Sequence, residues 1–290
     1  MRLEIFHLTR YTYKESVEDS VNEIRLTPRT DSRQSRVKQI ISVIPEAELF
    51  SHEDYFGNIV HSFTVNKPHR ELVIKAQSIV VTHEIAQTEG SLLPLEKEIE
   101  IIYSELFENT FAEYLLGTSY TLPTPEMKEF ANTLPDLESS GSVYQLLRDI
   151  MVTIYSTFTY DPTATDVHTT VVETIKLKRG VCQDFAHLMI AVCRMKGIPA
   201  RYISGYHFIG DLQGGHADFT QASHAWVEAY VPGVGWLGFD PTNNGLMDWR
   251  YVKIGHGRDY NDIVPVKGVY SGTSKQTLSV EVDVRVLNDE

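Results

Sequence analysis

The chain has 290 residues, enough for two ordinary domains, with 42% hydrophobic and 22% charged residues. That balance is typical of a folded globular protein and argues against disorder. A formal net charge of -13 argues against DNA or RNA as the main partner, because phosphate binding needs clusters of Lys and Arg. Residues 25–38 (RLTPRTDSRQSRVK) are locally basic and read as a solvated loop and strand face. The opening MRLEIFHLTRYTYKES alternates polar and apolar residues without a secretory apolar region, and no run is long enough for a membrane span. A cytoplasmic location without membrane association is the resulting expectation.

Five short segments rich in β-branched and aromatic residues come first, at 4–13, 21–28, 37–45, 58–65 and 71–84. Turn signals such as DYFGN (54–58) and NKPH (66–69) separate them, which predicts a small sandwich or barrel. His7, His52, His61, His69 and His83 are scattered there without ligand spacing and read as strand-face or loop residues. Beyond Ala86 the character changes through a linker-like TEGSLLPLE, so the domain boundary is placed at 84/85, giving units 1–84 and 85–290.

The second unit opens with helical segments at 101–116 and 124–135, the latter with Thr124 as N-cap and Pro125 at the first helical position. In residues 142–160, Val143, Leu146, Leu147, Ile150, Met151, Ile154 and Tyr155 recur at helical spacing and make one apolar face. A helix from Cys182 is predicted next, apolar on most sides and ended by Gly197 and Pro199. Strands follow at 200–207, 224–231 and 235–240. A last strand, 278–286, sets Val280, Val282, Val284 and Val286 against polar neighbours, so one face is expected to be buried.

Cys182 falls at the N-terminus of its helix, just after Gly180, which permits a close bend. There the free N–H groups and the helix dipole favour a thiolate and can hold an oxyanion. A lone cysteine is nonetheless more often a buried packing group. Cys193 lies about 16 Å further along the same helix, out of disulfide reach, and is assigned to packing. Both are expected as free thiols, as in a reducing compartment.

Downstream, ASHAWVEAYVPGVGWLGFDPTN reads as a hairpin in which His224 begins one strand and Asp240 ends the next. Pro at the first central position disfavours a two-residue turn. A three- or five-residue loop centred on Pro232 puts His224 directly opposite Asp240, with Cβ atoms about 5 Å apart. A carboxylate there would orient the imidazole, although Asp240 before Pro241 also suits a simple turn and His224 a strand edge. His187 and Asp184 are assigned structural roles, Asp184 as a first-turn acid that suits the dipole. His207, Asp211, His216 and Asp218 flank the GDLQGG loop without zinc spacing or a CxxC, so no metal and no cofactor are expected.

GVCQDFAHL, GIPARYISGY and SHAWVEAYVPGVGWLGFDPTN together resemble the core of the transglutaminase-like superfamily. DYFGN, NKPHREL and GHGRDYNDIVPVKGVYSG resemble its bacterial two-domain branch, so the similarity spans nearly the whole chain. The resemblance implies an α+β, papain-like core, with the cysteine helix packed on an antiparallel sheet, in residues 85–290. It implies an N-terminal β-sandwich in residues 1–84. It further implies a catalytic triad at Cys182, His224 and Asp240, a thioester intermediate and a peptide or protein substrate. Tyr160 in FTYDP is a candidate second oxyanion donor. Hydrolysis by a cysteine peptidase or amidase is the leading expectation. A cross-linking transglutaminase, or a binding module without turnover, is the alternative.

Overall fold

The computed structural model describes residues 1–83, 93–210, 223–272 and 275–287. The chain opens with β1 (Arg2–Val17), β2 (Ser20–Ile24), β3 (Gln34–Ile44), β4 (Phe50–Glu53), β5 (Ile59–Val65) and β6 (His69–Thr82). Helices follow: α1 (Leu95–Ile102), α2 (Glu105–Thr110), α3 (Ala112–Leu115), α4 (Pro125–Asn132), α5 (Leu137–Ser140) and α6 (Val143–Thr157). Short β7 (Thr159–Tyr160), α7 (Val171–Leu177) and β8 (Arg179–Gly180) lead into α8 (Cys182–Met195). The remaining strands are β9 (Ala200–His207), β10 (Ser223–Val231), β11 (Gly235–Asp240), β12 (Gly245–Leu246), β13 (Tyr251–Gly257), β14 (Val266–Tyr270) and β15 (Gln276–Val286).

Two antiparallel four-stranded sheets, β15-β1-β6-β3 and β14-β2-β5-β4, enclose a core that includes Tyr13, Leu26, Phe63, Leu72 and Ile74. This is the expected sandwich, but it is not made by the N-terminal strands alone. β15 pairs along β1 from Leu3↔Val286 to Tyr13↔Gln276, and β14 pairs with β2. The chain thus returns from the 85–290 segment to cover the open edges of β1 and β2, which would otherwise expose unpaired backbone groups. The valine alternation of β15 buries only part of one face. Val282 is fully covered and Val284 and Val286 pack beside it, whereas Leu278 and Val280 remain exposed.

The other face of the first sheet meets the five-stranded antiparallel sheet β12-β11-β10-β9-β13. Leu3, Ile5, Val80 and Val282 pack there against Tyr206, Val252 and Ile254. Polar contacts fix this seam. Gln34 bonds both the N–H and the carbonyl of Lys253, and Asn58 does the same for His256. The DYFGN turn presents Asn58 for this purpose, because Asp54 Oδ1 accepts the N–H groups of Phe56 and Asn58.

α8 lies on the opposite side of the five-stranded sheet, against Ala225, Val227 and Ala229 of β10. Most of its residues are buried, as its nearly all-round apolar pattern requires. Cys193 is fully covered, and burial pushes its thiol up to about 12, so it behaves as a small apolar group. α4 and α6 close the core as expected. Thr124 caps α4 ahead of Pro125, and α6 buries Val143, Leu146, Leu147, Ile150, Met151 and Ile154, although Tyr155 stays exposed. No helix among the described residues is long and apolar enough to cross a membrane.

One charged side chain inside this core was not anticipated. Arg194, in the last turn of α8 and 7% exposed, donates to the carbonyls of Tyr114, Leu116, Ala200 and Arg258 and to Thr121 Oγ1. It ties together acceptors from separate segments, and buried carbonyls left without a donor are costly. Arg194→Met should therefore lower the unfolding free energy by about 3 kcal/mol or more. Urea denaturation checks this, and a loss below about 1 kcal/mol would show the network to be dispensable.

Candidate active site

The backbone around Cys182 is set by its neighbours. Cys182 is the first residue of α8, and Val181 is the extended N-cap residue. Asp184 turns back so that Oδ2 accepts the Val181 N–H at 2.8 Å and the Thr165 hydroxyl at 2.7 Å. Its role is therefore a specific backbone bond as well as a favourable charge at the helix start. A Cβ on Gly180 would sit 2.7 Å from that same carboxylate oxygen, which is why glycine precedes the turn. The N–H groups of the first helical turn have no intrahelical acceptor and point out of the helix beside the thiol.

Cys182 itself is half-buried and unpaired with Cys193. β7 runs parallel to β8 with Tyr160 opposite Gly180, two residues before Cys182. Burial, and then Cys182, push the Tyr160 phenol upward.

The β10–β11 hairpin differs from the expected register. Val231 pairs with Gly235 and Val227 with Phe239, so the loop is centred on Gly233 rather than Pro232. The Val234 N–H donates to Val231 O at 3.0 Å across Pro232-Gly233, and Gly233 has φ +78°. Those are the requirements of a type II turn, with Pro setting the first central residue and Gly supplying the positive φ of the second. His224 is thus one pair out of direct opposition to Asp240, and the two meet on the diagonal. The displacement is two residues, so both side chains remain on one face. On the other side, His224 faces Gly205 of β9, where a Cβ would lie 2.5 Å from the Trp226 ring.

The diagonal pair is closely bonded. His224 Nε2 lies 2.7 Å from Asp240 Oδ2. Tyr251 donates its hydroxyl to the same oxygen at 2.9 Å, and Asn243 its side-chain amide at 2.7 Å. Oδ1 accepts the N–H groups of Thr242 and Asn243. Asp240 is fully buried. Burial alone would raise its carboxyl, but His224 and these donors hold it well below the usual carboxylate range. Burial would likewise lower His224, yet Asp240 outweighs it and, with a hydrogen bond to Cys182, raises the imidazole to about 10. The structure thus brings Cys182, His224 and Asp240 together in that order, with the imidazole between the cysteine sulfur and the carboxylate.

His187 behaves as expected. It accepts the Tyr260 N–H at 3.1 Å, stacks on Tyr120 and is pushed down to about 3 by burial. His7 bonds Tyr206 and Thr9, His69 lies against the Lys67 carbonyl, and His83 reaches Ser35, all in the sandwich. Asp211, His216 and Asp218 lie outside the described residues. His207, at the end of β9, stacks on Tyr251 with ring centroids 4.2 Å apart. Tyr251 and Asn243 were not singled out from sequence. Asn243 had a readable signal, three residues after Asp240 in a DPTN turn, whereas Tyr251 arrives from β13 with no local cue.

Two family models match the chain. The bacterial transglutaminase-like N-terminal region matches residues 3–81, and the transglutaminase-like superfamily core matches residues 131–241. An uncharacterized protein of Mycobacterium leprae is 34% identical over 285 residues, covering 98% of both chains. The chain belongs to the transglutaminase-like superfamily. A second uncharacterized relative, from Mycobacterium tuberculosis, is also 34% identical, over 98% of this chain and 92% of its own. Among solved structures, a "putative cysteine protease" from Cytophaga hutchinsonii superposes with TM-score 0.76 at 22% identity, covering 100% of this chain and 92% of that one. That likeness shows the shared fold: a transglutaminase-like core beside an N-terminal sheet region. A protein-glutamine gamma-glutamyltransferase of Pseudomonas aeruginosa is 43% identical over 68 residues, 22% of this chain and 10% of that protein.

Proposed function

We propose that this transglutaminase-like protein is a thiol-dependent acyl-transfer enzyme acting on peptide or side-chain amides, with hydrolysis as the main outcome. The observation that carries the reading is the bonded series Cys182, His224, Asp240, in which one imidazole serves both a thiol and a buried carboxylate. Nε2 of His224 is committed to Asp240, which leaves Nδ1 for the thiol.

In the forward step His224 holds the proton taken from Cys182, and the thiolate adds to the amide carbonyl carbon. Oxyanion charge develops against the N–H groups at the start of α8, with the Tyr160 hydroxyl as the proposed second donor. His224 then protonates the leaving amine, which departs as a thioester forms on Cys182. Asp240 keeps the ring in one orientation and balances its charge. Water attacks the thioester, aided by neutral His224, and releases the acid and the free thiol. Cys182 is half-buried and so open to water, which favours hydrolysis over transfer to a lysine amine.

Trapping tests this reading. The protein is incubated with a library of glutamine-containing and backbone amide peptides, quenched in acid and analysed by mass spectrometry. An acyl adduct on Cys182 that decays to acid in water is expected. Decay mainly to an added lysine amine would assign the protein to cross-linking. No adduct on any peptide, together with biological activity unaffected by Cys182→Ala, would make the fold a binding module.

A further inference from the structure

We infer that His207, His224 and Asp240 form a binding site for a zinc ion, and that zinc and the His224–Asp240 hydrogen bond exclude one another. Each residue offers one ligand atom, and these atoms lie within 4.8 Å of one another. The ligand set is two imidazoles and one carboxylate, which suits zinc rather than magnesium or calcium.

His207 is the residue that points to a ligand. It is 8% exposed, and its Nε2 is buried without a hydrogen-bond partner among the described residues. A buried ring nitrogen left unbonded lowers stability unless something fills the position. The ring is also held in place, stacked on Tyr251 at 4.2 Å and 13° and lying 5.5 Å from the His224 ring. Tyr251 and Asn243 both donate to Asp240, supplying the outer hydrogen bonds that orient a ligating carboxylate.

With zinc–ligand bonds of about 2.0–2.1 Å, tetrahedral ligand atoms settle roughly 3.3 Å apart. The His224–Asp240 contact of 2.7 Å must open slightly, and His207 must close toward them. On binding, the proton shared by Nε2 of His224 and Asp240 leaves to solvent, and lone pairs of two nitrogens and one carboxylate oxygen take its place. No electron transfer is involved. Cys182 does not belong to this converging group, so it is not a ligand. The site itself does not depend on the acyl-transfer reading. Inhibition by zinc does, because His224 can no longer exchange a proton with Cys182.

The experiment titrates zinc chloride into the full chain by calorimetry, using wild type, His207→Phe, His207→Gln and Cys182→Ala. His207→Phe keeps the stack on Tyr251 without a ligand atom, and His207→Gln guards against a folding defect in the first variant. One zinc per chain is expected in wild type and Cys182→Ala with similar affinity. Binding at least about tenfold weaker is expected in both His207 variants. Cobalt-loaded wild type should show a visible spectrum without a thiolate charge-transfer band. Unchanged affinity in the His207 variants would overturn the site, as would loss of binding in Cys182→Ala, a thiolate band, or no zinc bound by wild type. Failure to turn over peptides would leave these isotherms unchanged, so the two readings fail separately.

Discussion

Asp240→Asn should reduce amide turnover by about 10^4-fold while Cys182 stays intact. Five donors converge on Asp240: the N–H groups of Thr242 and Asn243 on Oδ1, and His224, Tyr251 and Asn243 on Oδ2. An asparagine oriented to accept the two backbone N–H groups presents its own NH2 to the other three donors. Its nearest relief is to donate to His224 Nε2, which imposes the opposite tautomer and leaves no ring nitrogen free to take the thiol proton. The same substitution changes stability as a function of pH. His224 is raised from 6.5 to about 10, so its contribution is complete below pH 6.5 and disappears as pH rises toward 10. Asp240 is depressed from 3.8, so its contribution is present above pH 3.8 and is lost in acid. The pair therefore stabilises the fold most between about pH 4 and 6.5. Urea midpoints of the wild type should fall from pH 6.5 to 10, whereas those of Asp240→Asn should be lower at pH 6 and nearly flat over that range.

The two cysteines should separate activity from stability. Cys182→Ala removes the proposed nucleophile, so turnover should fall on the order of 10^6-fold. Cys182 is half-buried, so the unfolding free energy should change by less than about 1 kcal/mol. Cys193→Ala should do the reverse, keeping turnover and losing about 1–2 kcal/mol, because it removes a fully covered atom from the last turn of α8. A Cys193 variant that lost turnover with its fold intact would undermine the assignment of roles.

Local rules carried much of the fold. Helical periodicity and punctuation located α8 and α6, and placed Cys182 at a helix start. Strand parity put His224 and Asp240 on one face even though the hairpin register was one pair off. The turn chemistry explains the difference: Pro232 fixes only a negative φ, whereas Gly233 is the residue with positive φ, and the loop centres there. What local rules cannot see is pairing across long sequence separations. β15 returns to β1, Arg194 collects carbonyls from distant segments, and Tyr251 reaches Asp240 from another strand. Each is specified by tertiary packing, and the backbone acceptors of Arg194 leave no residue-type signature. The contact of Cys182 with His224 is of the same kind. The family resemblance implied it, whereas spacing alone could not.

His224, held by Asp240, is proposed to activate Cys182. The rate at which iodoacetamide alkylates Cys182 at pH 5.5–6.5, followed by peptide mass spectrometry, tests it most directly. The wild-type rate should exceed that of a simple model thiol at least about tenfold, and Asp240→Asn and His224→Ala should remove the excess. Alkylation of wild-type Cys182 no faster than the model thiol, or equally fast in all three proteins, would contradict the account.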